Sequence, residues 1–198
     1  MFLAGYKENL LDVIFVIGSS GRDAVTIFER EKELVKSFVE RAKNLNAAFG
    51  VVQYDSTVRN TIELLAISKI ERFKQLVDNL KFTGQGTGVD KALKKTIELF
   101  GEGGRSDTRR IVIVFVNDPL TVNDDELTRL SRLLKGQQVE VFVVGYGNKV
   151  NVRQINLLIS NRRNFNQVGV GDDVKNASKV IAERPLTGLI IIHILFST

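Results

Sequence analysis

The stretch DVIFVIGSSGR, residues 12–22, decides the fold. Val13–Ile17 is an almost unbroken run of Val, Ile and Phe, the composition of a strand covered on both faces. It runs into Gly18-Ser19-Ser20-Gly21-Arg22, a turn with no acid, histidine or cysteine. From Asp23 to about Asn44, Phe28, Leu34, Val35, Phe38, Val39 and Ala42 recur mostly at three- and four-residue spacings, the mark of a long amphipathic helix. A buried strand, a glycine turn and a helix open an α/β chain.

The same alternation continues outward. Strands are expected over Ala47–Tyr54, Val58–Leu64, Arg110–Val116, Val139–Tyr146 and Phe165–Val170. Val58–Leu64 alternates in polarity and follows the previous strand closely, so it reads as an antiparallel partner at a sheet edge. Ser68-Lys69-Ile70-Glu71 reads as a capping box opening a helix to about Asn79. Further helices are expected over Val89–Phe100, Asp124–Leu134, Val152–Ile159 and Asp173–Glu183. The fold class is therefore α/β: three layers, a mostly parallel six-stranded sheet with one antiparallel edge strand, and helices on both faces. Such sheets bind ligands beyond the carboxyl ends of their strands, where strand order reverses. Gly18–Arg22, Thr83–Gly88 and Asn117–Asp118 are the loops that reach that end.

At 198 residues the chain is sized for one domain, and no proline-rich linker divides it. We expect an N-terminal extension over 1–9, the domain over 10–185 and an apolar tail over 186–198. The N-terminus MFLAGYKENLL lacks the basic region and long apolar run of a complete signal peptide. The terminal GLIIIHILFST has eleven residues, and a membrane span needs about 20. Absence of cysteine excludes disulfides, thiolate metal sites and cysteine nucleophiles without fixing the compartment. The one histidine, His193, lies in the tail, which leaves Ser19 and Ser20 without a catalytic base. Basic residues occur without an aromatic stacking platform or recognition helix, so nucleic acid is not an expected partner. Asn176-Ala177-Ser178 fits a glycosylation acceptor but falls in an expected helix.

DVIFVIGSSG, AFGVVQYDS, GTG-x(3)-AL, RIVIVFVND and VEVFVVGYG together resemble, in order, the signature segments of a von Willebrand factor type A domain. The resemblance covers about residues 10–184 and is nearest in flavour to the collagen VI-like and matrilin-like A domains of the extracellular matrix. It implies a doubly wound sheet and a metal-ion-dependent adhesion site at its carboxyl end. That site is built in the family from Asp-x-Ser-x-Ser, a Thr and an Asp. A hard Mg²⁺ ion takes about six oxygens, with carboxylates and hydroxyls among them.

At the matching positions this sequence has Gly18 for the first Asp, Ser20 for the first Ser and Arg22 for the second. The Thr position falls on Gln85 or Gly86, with Thr87 matching a neighbouring family Thr, and the last Asp is kept as Asp118. Asp12 does not replace the missing carboxylate, because it begins the strand; Asp23 would do so only if the turn shifted. An arginine directed into the site would repel a divalent cation by about 8 kcal/mol at 4 Å and an effective dielectric near 20. We therefore expect no metal cofactor. Arg22 either replaces the ion, pairing with Asp118, or opens the helix in solvent. Ser19, Ser20, Arg22, Asp55 and Asp118 are the candidate partner contacts.

Topology also sorts the charges. Asp23, Asp55, Asp118, Asp124, Asp125, Asp172 and Asp173 fall at the carboxyl-end rim; Lys43, Arg105, Arg109, Arg110, Lys135, Arg162 and Arg163 fall at the opposite one. Helix ends account for part of this polarity. The density of Arg105, Arg109, Arg110, Arg162 and Arg163 marks a candidate patch for an acidic protein or sulfated glycan.

The expected function is a non-enzymatic protein-interaction module of an extracellular or cell-surface protein, with collagen or another matrix protein as partner. Two alternatives stand beside it: a nucleotide- or dinucleotide-binding Rossmann-type enzyme, and an intracellular subunit for complex assembly. The first would use Gly18–Arg22 and Asp55, although the full G-x-G-x-x-G is absent and Asp55 lies far along the chain.

Overall fold

The computed structural model describes residues 10–19, 24–84, 86–146, 149–169 and 172–186. Six strands form one sheet: β1 (Leu10–Gly18), β2 (Asn46–Tyr54), β3 (Val58–Ala66), β4 (Arg109–Val116), β5 (Val139–Tyr146) and β6 (Phe165–Val168). Their order across the sheet is β3-β2-β1-β4-β5-β6. All neighbours are parallel except β2 and β3, which pair antiparallel as the alternation of Val58–Leu64 predicts.

Six α-helices cover the sheet: α1 (Ala24–Arg41), α2 (Ile70–Asp78), α3 (Val89–Gly103), α4 (Asp124–Gly136), α5 (Val152–Leu158) and α6 (Val174–Leu186). Successive side chains of a strand point to opposite faces, so β1 feeds two cores. Leu11, Val13, Phe15 and Ile17 face α1, α2 and α6. Ile14 and Val16 face α3, α4 and α5. The chain winds outward from β1 in both lateral directions, and right-handed crossovers then place helices on opposite faces. Phe15 is the centre of an aromatic group, with Phe38 edge-on at 5.3 Å and Phe49 stacked at 6.4 Å.

Three local expectations are corrected. The capping box at Ser68–Glu71 does not form: Ile67–Lys69 is a 3₁₀ turn, and Lys69 precedes α2 without a side-chain cap. Ser68 lies inside that turn, one residue too early to cap the helix. α6 continues past Glu183 to Leu186, whose side chain is buried, although the sequence places Leu186 in the tail. Pro185 is tolerated in its last turn, where its carbonyl accepts a hydrogen bond from Arg109 Nη1. β6 ends at Val168, short of the expected Val170, which lies outside the described residues. The extension 1–9 and most of the apolar tail, including His193, also lie outside them.

Candidate functional site

The reversal of strand order falls between β1 and β4, so Gly18 and the segment after Val116 share one end of the molecule. Gly18 sits where an added side chain would crowd a tyrosine. Tyr54 at the end of β2 sends its hydroxyl past β1 to donate to the Phe115 carbonyl of β4 at 3.3 Å. A Cβ at Gly18 would stand 3.3 Å from that hydroxyl oxygen. Burial raises the Tyr54 hydroxyl far above the ordinary phenol range, and the nearby Glu31 carboxyl pushes it further. The place where the resemblance puts an aspartate is thus packed against a neutral phenol.

Ser19 and Asp55, two of the expected contacts, are fully buried. Ser19 donates its backbone N–H and its hydroxyl to the Tyr54 carbonyl at 2.8 and 3.0 Å. Its hydroxyl also lies 2.7 Å from that of Thr83. Asp55 accepts from the Thr57 N–H at 3.0 Å and pairs with Arg59. Burial pushes its carboxyl upward, but bonds from Arg59, Thr57 and Thr83 outweigh that and hold it below the usual range. Neither residue presents a polar group to a partner; together with Thr83 they tie β1, β2 and the following loop into one support. Asp55 is equally unavailable to a ribose hydroxyl, which removes the acidic residue a dinucleotide site would need.

The glycine loop packs onto this support. Gly84 donates its N–H to the Ser19 carbonyl at 2.7 Å. Gly86 has a φ of +87°, a backbone region that side chains rarely adopt. A Cβ on Gly88 would stand 2.7 Å from the Ser56 carbonyl oxygen. Gly88→Ala is therefore expected to cost about 1–3 kcal/mol through overpacking, read as a lower urea midpoint at unchanged slope. Thr87 pairs with Thr121, their hydroxyls 2.6 Å apart. Asp118 is half-buried in the loop after β4. Ser20, Arg22, Asp23 and Gln85 lie outside the described residues.

These donors do not fit a hard divalent ion. Asp118 supplies one carboxylate, Gly18 supplies none, and the hydroxyls of Ser19, Thr83 and Thr87 are engaged with protein. Among the described residues no group of three or more acids or histidines is placed to hold a metal.

Behind this surface lies a group that the motif reading misses. Glu31 of α1 is 1% exposed, and burial raises its carboxyl well above the ordinary range, partly offset by the Gly18 backbone N–H. Among the described residues its Oε2 has no hydrogen-bond partner, nor does the buried Tyr146 hydroxyl at the end of β5. Its signal is visible in the sequence: Glu31 stands in the apolar stripe between Phe28 and Leu34.

At the opposite rim, three of the five expected arginines are committed internally. Arg105 reaches the buried Asp12 from its backbone N–H at 2.9 Å and its Nε at 2.8 Å, and the Leu11 carbonyl at 2.8 Å. Arg109 chelates Glu140. Arg110 reaches the Gln137 and Arg105 carbonyls. Arg162 and Arg163 are exposed in a 3₁₀ turn before β6. In the glycosylation-like triplet, Ser178 is buried within α6 and bonded to Ser37 at 2.7 Å.

Comparison with known proteins agrees with this geometry. The von Willebrand factor type A domain model matches residues 12–179. The chain is 23% identical over 159 residues to the collagen alpha-1(VI) chain of Xenopus laevis, covering 77% of this chain and 15% of the relative. It is 27% identical over 152 residues to matrilin-1 of Gallus gallus, covering 74% of this chain and 30% of the relative. The chain thus spans less than a third of the length of these curated relatives. Proximal thread matrix protein 1 from the mussel byssus shares the fold, with a TM-score of 0.76 at 19% identity over 89% of this chain and 47% of that one. With five signature segments, the strand order and the family match in agreement, this chain belongs to the von Willebrand factor type A domain family.

Proposed function

We propose that this domain is a non-enzymatic protein-interaction module of an extracellular or cell-surface assembly, and that it engages its partner without a metal ion. The observation that carries the reading is the packing at Gly18. The Tyr54 hydroxyl crowds the place where the family's first metal carboxylate would begin, 3.3 Å from a Cβ at Gly18, and the hydroxyls beside it are spent on internal bonds. Relatives that include a collagen VI chain and a matrilin support the matrix setting. Collagen or another matrix protein is the partner class to test first. Among the described residues no helix is long and apolar enough to cross a membrane.

Solid-phase binding of the domain to matrix collagens tests this directly. Binding is expected to survive EDTA with less than about a twofold change, because no differential affinity links the ion to the partner. Loss of binding in EDTA, with recovery on adding Mg²⁺, would refute metal independence. In calorimetry, Gly18→Asp alone is expected to give no Mg²⁺ heat, since the added side chain crowds Tyr54 and the same turn carries the positive charge of Arg22 in sequence.

A further inference from the structure

The rim opposite the strand-order reversal holds a cleft of about 490 Å³ between the start of β5, the turn before β6 and the end of α6. Arg109, Glu140, Ser160, Asn161, Asn164 and Arg184 supply its polar groups, and the buried Phe142 adds an apolar surface. The charged acceptor in this cleft is already paired, and one amide oxygen is used. Both Glu140 carboxylate oxygens are taken by Arg109, from Nε at 2.8 Å and Nη2 at 3.0 Å. The Asn161 side-chain oxygen accepts from the Arg163 N–H at 2.9 Å.

Donors remain. Arg184 is half-buried and, among the described residues, has no hydrogen-bond or ion-pair partner. Asn161 keeps its side-chain N–H₂, and Ser160, whose oxygen accepts the Val141 N–H at 2.9 Å, keeps its own O–H to give. Arg162 and Arg163, exposed in the adjacent turn, add positive charge at the mouth. A site whose unpaired charged group is a donor suits a group that accepts, and a guanidinium suits a planar carboxylate best.

We propose that this cleft binds a carboxylate side chain of an acidic protein segment, with Arg184 making the direct contact. The proposal rests on the protein-interaction reading and deepens it by naming the partner's chemistry and the face that meets it. A sulfated glycan fits less well. Its chain follows a row of free cations, whereas Arg105, Arg109 and Arg110 are bonded within the domain. One free guanidinium beside a phenyl ring matches a carboxylate on a short carbon stem.

The test is fluorescence anisotropy with a labelled Gly-Glu-Leu-Glu-Gly peptide, its Gln counterpart, and heparin as competitor. The wild-type domain, Arg184→Gln and the pair Arg162→Gln/Arg163→Gln are compared, each checked for an unchanged melting temperature. The Glu peptide is expected to bind roughly tenfold more tightly than the Gln peptide, and Arg184→Gln to lose about tenfold. The rim pair is expected to lose only about two- to threefold and to weaken the salt dependence. Equal binding of the two peptides, or undiminished binding to Arg184→Gln, overturns the proposal. So does heparin binding that survives Arg184→Gln while the Glu peptide fails, which would assign the rim to a glycan. The collagen assay is run in parallel. Collagen binding without peptide binding defeats the cleft alone, and peptide binding without any matrix partner defeats the module reading alone.

Discussion

Glu31→Gln is expected to raise the unfolding free energy by about 2 kcal/mol or more above neutral pH, and to flatten its dependence on pH. Among the described residues the wild-type carboxyl is buried with Oε2 unpaired, so ionising it in the folded state places a charge on an oxygen that no hydrogen bond compensates. The Gly18 N–H bonds it, and its charge is felt by the Tyr54 and Tyr146 hydroxyls; Arg30 and Glu33 of the same helix also act on Tyr146. Its folded pKa is raised above the unfolded value of 4.5. The neutral acid's contribution is therefore fully present below about pH 4.5 and is lost as pH rises through the folded value. Within that window the slope is about −1.4 kcal/mol per pH unit. Asp55 works in the opposite sense: its folded value is depressed, so its contribution is lost as pH falls through that value. Urea unfolding of wild type and Glu31→Gln from pH 4 to 9 gives a difference curve in which Asp55 cancels. A flat difference curve would show that Glu31 finds a partner in solution.

Arg105→Ala is expected to destabilise the domain by about 3 kcal/mol, near the lower end for breaking a buried ion pair because the guanidinium is one-third exposed. Asp12 is fully buried at the entry to β1 and keeps only the residue-105 backbone N–H once the side chain is gone. Arg105 also holds the Leu11 and Asn46 carbonyls, so one substitution releases the ends of two central strands. The companion Asp12→Asn/Arg105→Ala is expected to recover part of the loss, because it removes the charge that the single change strands. Chemical denaturation of the three variants measures the coupling. A loss below about 0.5 kcal/mol for Arg105→Ala would place the pair among ordinary surface contacts.

The same pair shows how a residue type misleads when its neighbours are unknown. Arg105 and Arg109 stand in a dense basic run, which reads as a docking patch. Across the sheet, each meets a carboxylate far away in sequence: Asp12 at the entry to β1 for Arg105 and Glu140 at the entry to β5 for Arg109. Arg105 folds back from the loop before β4 onto β1, and Arg109 reaches diagonally across β5, where Glu140 stands opposite Ile111. Ser19 and Asp55 mislead in the same way. They lie at the correct end of their strands, yet Tyr54, Thr83 and Arg59 consume them. Arg184 was not among the basic residues singled out, because a lone arginine late in a helix resembles any charge favoured at a helix C-terminus.

The sequence by itself determined the alternation of elements, the antiparallel edge, the two-sided core and the end of the sheet where strand order reverses. These follow from periodicity and from chain connectivity, both of which are local or nearly so. It also carried a glycine and no carboxylate at position 18, which is a matter of residue identity. Only the tertiary structure decided which polar groups are spent and which are free. Tyr54 packed against Gly18, Glu31 with no partner for Oε2 among the described residues, and Arg184 lining a cleft whose Glu140 is already paired are products of contacts between distant segments. A side chain's chemistry is written in its type, but its availability depends on the hydrogen bonds that folding has already filled.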